Sequence, residues 1–179
     1  VEQLRQHGWQ RAEADPSVFR HESGKAVLGI HVDDLFLACP AEDRKYFCDM
    51  LADMCDLKWE AQLDDTPRRY LGRMWSYDGS CVGVGLPSGY YEEMAATVGV
   101  QNMRGLSTPH VEMQTLRDDA SELLEDAEVH LHRRVVGKIA WAALVRPDVR
   151  FLAKELAARN SRPTVVSLRV ATRVVRYLY

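Results

Sequence analysis

Residues 28–38 read LGIHVDDLFLA, and this stretch decides how the first part of the chain is expected to fold. Apolar residues stand on both sides of two adjacent carboxylates, Asp33 and Asp34. The pattern predicts a tight β-hairpin with strands at 26–32 and 35–39 and with both carboxylates at its tip. Neighbouring negative charges repel each other and resist burial, so this position requires a compensating partner.

Composition is typical of a globular protein. Hydrophobic residues make up 46% of the 179 residues and charged residues 27%, so wholesale disorder is not expected. No apolar run reaches the roughly 18–20 residues of a membrane span, and no basic and apolar leader opens the chain. The cysteines form no CxxC motif, so we expect reduced thiols that mostly fill the core: Cys39, Cys48, Cys55 and Cys81.

Charge is divided unequally along the chain, although the net charge is only −3. Residues 130–179 contain 11 Lys and Arg against 2 acidic residues, whereas residues 1–129 contain 12 against 24. This division indicates an acidic part that can hold cations and a basic part that can face a polyanion. An ordinary Arg-rich helix surface explains the basic part equally well, and the sequence leaves both interpretations open.

The order of elements around the hairpin predicts an α+β fold with an antiparallel sheet. The expected elements are a helix ending at Gly8, a strand at 17–20, the hairpin, a helix opening at Pro40, a strand at 57–63, and a second hairpin at 70–86 turning at Asp78-Gly79. Because VEQLRQHGW reads as the last turns of a helix, we expect the chain to be a piece of a longer protein.

From residue 88 onward the pattern changes to helices. We expect helices at 89–98, at 121–145, from an Asp148 cap to residue 160, and from Pro163 to the C-terminus. The change of character places a domain boundary near Pro87, which divides 1–87 from 88–179.

Adjacent carboxylates at a hairpin tip suit a hard divalent cation. Mg²⁺ prefers oxygen ligands, and one or two carboxylates usually hold it together with water and substrate phosphates. Two such ions about 3.5–4 Å apart catalyse in-line displacement at phosphorus. The competing explanation is that aspartate in a tight turn hydrogen-bonds its own backbone.

The sequence HVDDLFLA, residues 31–38, resembles the aromatic-x-Asp-Asp signature of reverse transcriptases. Further blocks resemble those of copia-type retrotransposon polymerases in the same order: GWQRAEADPSVF (8–19), a block at 70–100 beginning YLGR, LSTPH (106–110), a block at 132–164 containing VRPDV, and RVVRYLY (173–179). The blocks cover nearly the whole chain. The resemblance implies part of an RNA-directed DNA polymerase of the right-hand type: the C-terminal part of the palm at 1–87 and a helical thumb or connection at 88–179.

The resemblance also assigns roles to residues. Asp33 and Asp34 match the two palm carboxylates that bind metal and catalyse nucleotidyl transfer, with two Mg²⁺ ions expected in the complete enzyme. The first aspartate is the direct ligand of both ions in such enzymes. The turn entering the second hairpin corresponds to the primer grip, which positions the primer end: Tyr70, Leu71, Gly72 and Arg73.

The sequence also departs from this family. His31 stands where an aromatic residue is usual, and the blocks with the third catalytic aspartate and the template contacts are absent. We therefore expect no polymerisation by this chain alone.

The implied partners are an RNA or DNA primer–template, deoxynucleoside triphosphates and the remaining Pol domains: fingers, upstream palm, ribonuclease H and integrase. The implied location is intracellular, in a cytoplasmic virus-like particle or the nucleus, with no membrane partner.

Basic and imidazole side chains in the helical part offer further candidates. Arg169, Arg173 and Arg176 follow helical spacing, so they predict a basic stripe that contacts nucleic-acid backbone phosphates, and a solvated helix face explains them equally well. His130 and His132 point in different directions on a helix and are expected at the surface. The alternative function is a degenerate remnant or a nucleic-acid-binding module without chemistry.

Overall fold

A computed structural model describes residues 2–179, apart from the side chain of Met113. The chain divides into two compact units, Val1–Ala61 and Gln62–Tyr179. This division comes before the predicted boundary near Pro87, because the strands between residues 68 and 85 belong to the same unit as the helices. The assignment of 1–87 and 88–179 to two functional parts stays a prediction.

The first unit contains a four-stranded antiparallel sheet in the order β1-β2-β3-β4. Its elements are helix α1 (Glu2–Gln6), strands β1 (Trp9–Arg11), β2 (Val18–His21), β3 (Val27–His31) and β4 (Asp34–Ala38), a 3₁₀ turn (Ala41–Asp43) and helix α2 (Arg44–Ala52). Each strand follows its neighbour in sequence, so short turns suffice to connect them.

One face of this sheet forms the core of the first unit. The register pairs Phe19 with Leu28 and Leu28 with Leu37, which places these side chains on the same face. Phe47 and Leu51 of α2 are buried in the same cluster. Each such burial contributes about 1.5–3 kcal/mol, so α2 fixes which face of the sheet is internal.

The second unit combines a small sheet with a helical core. Its elements are strands β5 (Arg68–Tyr70), β6 (Arg73–Tyr77) and β7 (Val82–Gly85), then helices α3 (Tyr90–Thr97), α4 (Met113–Arg117), α5 (Asp126–Ala142), α6 (Arg150–Ala157) and α7 (Val165–Leu178), with a 3₁₀ turn (Pro147–Val149) before α6. The strands pair antiparallel in chain order. The buried cluster is formed by residues of α3 to α7 and the segments between them.

The α+β class and the antiparallel sheets are confirmed, but several details of the predicted order were wrong. Strand β1 and helix α4 were not predicted, and the helix expected at 121–145 is the shorter α5. No strand forms at 57–63, where the structure describes no regular element. A strand needs a neighbouring strand to pair its backbone hydrogen-bonding groups. Strand β5, and not the segment 57–63, pairs with β6. The loop after β6 spans 78–81, which confirms the predicted position of the turn but makes it longer than two residues.

Within the described part of the chain, no helix is long and apolar enough to cross a membrane.

Candidate functional site

The β3–β4 hairpin turns at Val32 and Asp33, because His31 and Asp34 are cross-strand partners at its end. The hairpin was predicted correctly, but its tip lies one residue earlier than expected, and Asp34 is the first residue of β4. Val32 has a φ of 56° and is 89% exposed. A β-branched residue in this region is strained, so the pairing of the flanking strands must hold the turn.

Both carboxylates of the pair are exposed, and neither forms a hydrogen bond or an ion pair with a residue that the structure describes. Asp78, in the turn after β6, behaves differently. Its carboxylate accepts the backbone N–H of Cys81 at 2.7 Å and of Ser80 at 2.8 Å, and these bonds lower its pKa. Asp33 and Asp34 make no such bonds, so the backbone-capping explanation of the pair is not supported.

Unpartnered carboxylates fit the ligand preference of Mg²⁺, which takes oxygen atoms from protein, water and phosphate. In residues 2–179 as described, no group of three or more His, Cys, Asp or Glu side chains comes together to hold a metal ion. Two carboxylates alone do not fill the octahedral ligand shell of Mg²⁺. Further ligands would have to come from water, from a nucleotide or from another segment of protein.

The β5–β6 turn contains the residues predicted to form the primer grip. Tyr70 and Arg73 are cross-strand partners, and Leu71 and Gly72 between them have φ values of 47° and 74°. Two consecutive positive φ angles are typical of a type I′ turn, which suits glycine and strains leucine. The indole N–H of Trp75 donates to the Tyr70 carbonyl at 3.2 Å and helps to hold this conformation.

The three arginines predicted to form a basic stripe lie on α7, but in different surroundings. Arg169 is exposed. Arg173 donates from Nε to the His110 carbonyl at 3.0 Å, and Arg176 donates from Nη2 to the Arg104 carbonyl at 2.9 Å. Two of the three therefore hold the segment before α4 against α7. Their predicted contact with backbone phosphates stays a prediction.

His130 is exposed as expected, whereas the prediction of His132 at the surface was wrong. The His132 side chain is 0% exposed, on the face of α5 that carries Val136 and Ile139. The i, i+4 and i+7 spacing of these three residues is the sequence signal that was missed. Burial lowers the pKa of His132 from its ordinary value.

The cysteines are free thiols, but the prediction that they mostly fill the core was wrong. Cys39 and Cys48 are half-buried, and Cys55 and Cys81 are exposed. Cys39 packs against the core of the first unit, whereas Cys55 and Cys81 lie outside the helices and strands, where no internal space has to be filled.

A side-chain cluster between α5, α6 and α7 was not expected. The Asp148 carboxylate accepts from Arg146 Nε at 3.0 Å, from Arg146 Nη2 at 2.7 Å and from the Tyr177 hydroxyl at 2.6 Å. The predicted helix-capping role of Asp148 was wrong, because its carboxylate bonds these side chains instead. The Arg146 hydrogen bonds lower the pKa of Asp148 to about 2.

Comparison with known proteins identifies no relative: no family model, no curated protein and no solved structure matches the chain.

Proposed function

We propose that the chain is part of the reverse transcriptase of a copia-type retrotransposon, an RNA-directed DNA polymerase. In this proposal the β3–β4 hairpin belongs to the palm, and the helices of the second unit belong to the thumb or connection. One observation carries it: the hairpin exposes two adjacent carboxylates that have no partner among the described residues, within the ordered sequence blocks of that family.

In this role Asp33 and Asp34 would hold Mg²⁺ through carboxylate oxygens, with Asp33 as the principal ligand. Bound Mg²⁺ would supply activation of the primer 3′ hydroxyl and stabilisation of the leaving pyrophosphate. The exposure of the hairpin leaves room for a primer end and a nucleotide, whose phosphates complete the ligand set. The β5–β6 turn would hold the primer, and Arg169 would contact a backbone phosphate.

The family resemblance favours one qualification of this proposal, because the block with the third catalytic aspartate is absent from this sequence. In this proposal the chain alone binds a divalent ion weakly and does not polymerise DNA, because water or substrate must replace the third carboxylate ligand. The second candidate is a nucleic-acid-binding remnant without chemistry. Adding the upstream palm segment should restore nucleotide incorporation for the first candidate but not for the second.

Metal binding at the hairpin is tested with Mn²⁺ as a paramagnetic substitute for Mg²⁺, measured by electron paramagnetic resonance. At about 4 Å each unit charge contributes about 1 kcal/mol even in bulk water, so Asp33→Asn with Asp34→Asn should weaken Mn²⁺ binding about tenfold or more. Asp65→Asn is the matched control, because Asp65 belongs to a second adjacent aspartate pair and is exposed. Equal losses in both variants would contradict a site at the hairpin.

Catalysis is tested by primer extension with a version of the chain that includes the upstream palm segment. The proposal expects template-dependent incorporation that Asp33→Asn abolishes. Salt-sensitive primer–template binding without incorporation would instead support the remnant. Incorporation that survives Asp33→Asn would refute the assigned role of the hairpin.

A further inference from the structure

Arg73 at the β5–β6 turn differs from most buried or half-buried arginines of this chain in having no acceptor. Its side chain forms no hydrogen bond and no ion pair with the described residues, and its Nε atom is buried. By contrast, Arg146 and Arg159 both bond carboxylate or carbonyl oxygens. An unpaired cationic N–H inside a protein is unfavourable, so the Arg73 guanidinium keeps hydrogen-bonding capacity that a bound anion would satisfy.

An aromatic ring nevertheless restricts the orientation of Arg73. The centre of its guanidinium lies 5.0 Å from the centre of the Trp141 ring on α5. The same indole contacts the turn itself, since a Cβ atom added to Gly72 would lie 3.3 Å from Trp141 Cζ2. The planar guanidinium carries its N–H groups in a fixed fork that suits bidentate binding of a phosphate, and the cation–π contact with Trp141 restricts its rotamers.

The sheet register adds a second basic side chain on the same face. Arg68 pairs with Trp75, and Tyr70 pairs with Arg73, so Arg68 lies two residues from Tyr70 on the side of the hairpin that carries Arg73. The Nε atom of Arg68 is also buried without a partner among the described residues, although its Nη2 donates to Asp64 at 3.1 Å. This face therefore carries two guanidinium groups, of which Arg68 is paired with Asp64 and Arg73 has no carboxylate partner among the described residues.

We propose that Trp141 is a positioning residue for an anion site at the β5–β6 turn, where it holds the Arg73 guanidinium ready for a nucleic-acid backbone phosphate. The inference rests on the proposed function, since it specifies how the predicted primer grip contacts its ligand. Trp141 acts through Arg73 and makes no contact with the phosphate itself. Its role is to keep the guanidinium from adopting other rotamers when no ligand is bound.

Binding of a fluorescent RNA–DNA primer–template to the full chain, over a series of salt concentrations, tests this proposal. Arg73→Ala should weaken binding about tenfold and reduce the slope of log K against log salt by about 0.7–0.9, the value for one lost phosphate contact. Trp141→Leu should weaken binding about two- to fivefold. In the double variant the two losses should not add, because Trp141 acts through Arg73.

Arg69→Ala is the matched control, because Arg69 is exposed and pairs with Met74 on the other face of the same hairpin. Its affinity and salt slope should remain close to those of the wild type. An equal change of slope in Arg69→Ala would show diffuse electrostatic attraction and would overturn the site. Additive losses for Arg73→Ala and Trp141→Leu would overturn the positioning role, since a purely structural defect is expected to add.

Nuclear magnetic resonance of the arginine Nε–H groups keeps the test valid if Trp141→Leu does not fold. The Arg73 signal, identified by its loss in Arg73→Lys, should shift when the primer–template is added to the wild-type chain. A shift with inorganic phosphate but not with the duplex would overturn the assignment to nucleic acid. Duplex binding without a shift would refute this inference alone, whereas a chain without duplex affinity would refute the proposed function as well.

Discussion

Single residues of this chain carry backbone strain at both hairpin turns and unpaired polar atoms in the helical core. Val32 and Leu71 have positive φ angles although neither is glycine. Such conformations cost about 1–2 kcal/mol each, so the surrounding strands must compensate them. His132 in the core also lowers the free energy of unfolding, since neither ring nitrogen has a hydrogen bond of good geometry within the described residues.

Replacing Val32 by asparagine should stabilise the β3–β4 hairpin. Asparagine tolerates the left-handed region, and the 89% exposed valine loses no buried area. We expect a gain of about 0.5–1 kcal/mol, measured by hydrogen exchange of the amides of β3 and β4. Val82→Asn, at an exposed strand position, is the control and should be destabilising. A loss of protection in Val32→Asn would contradict the assigned strain.

His132 should make the stability of the second unit depend on pH. Burial lowers its pKa in the folded state from the ordinary value of 6.5, so the unfolded chain binds the proton more readily. Stability should be complete above pH 6.5, fall as the pH decreases below that value, and level off below the folded pKa. His132→Leu should remove this dependence in thermal melts between pH 7.5 and 5.

His130→Gln is the control for this titration, because His130 is exposed on the same helix. The control should keep the pH dependence of the wild type. A His132→Leu variant with an unchanged pH profile would show that other groups cause the decline.

At the scale of the elements, capping side chains and side-chain hydrogen bonds determine where helix α7 begins. Thr164 and Ser167 form a reciprocal capping box at the start of α7. The Thr164 hydroxyl also hydrogen-bonds the Asp119 carboxylate, which ties the segment before α5 to this helix. Such bonds satisfy backbone groups that a helix leaves unpaired at its first turn.

Thr164→Ala should cost about 1–2 kcal/mol in the free energy of unfolding, because it removes the cap and the bond to Asp119. Thr172→Ala is the control within the same helix. Its hydroxyl bonds the Leu168 carbonyl at 2.9 Å, an internal bond that does not support the helix end. Urea unfolding compares the two, and equal effects would contradict the capping role.

At the scale of the whole molecule, each of the two compact units has its own buried cluster. We therefore expect two unfolding transitions in calorimetry.

In the second unit the Asp148 carboxylate joins Arg146, after α5, to Tyr177 on α7. Its contribution should be present above the ordinary pKa of 3.8 and be lost as the pH falls through about 2.

Asp148→Asn should lower the stability of the second unit at neutral pH by about 1 kcal/mol, since the half-exposed pair is partly screened by solvent. Only the transition of that unit should shift. Asp118→Asn, at an exposed aspartate without a side-chain partner among the described residues, should leave both transitions in place. A single transition that shifts as a whole would contradict the independence of the units.

Local pattern was enough to predict the elements whose signals lie within a few residues. The two hairpins, the end of α5 before Pro147 and the start of α7 follow from turn residues, proline and capping side chains near each boundary. The exposed Asp33-Asp34 pair was predicted for the same reason. Its turn moved by one residue because cross-strand pairing of His31 with Asp34 sets the register.

The sequence by itself therefore determined the α+β class, most helices and the position of the paired carboxylates. Tertiary structure alone decided that 57–63 forms no strand, that His132 is internal, that Asp148 bonds Arg146 and Tyr177, and that Trp141 lies against the β5–β6 turn. Each depends on side chains or strands distant in sequence. A residue's neighbours along the chain set its local conformation, but only packing determines which distant groups can satisfy its hydrogen bonds and cover its apolar surface.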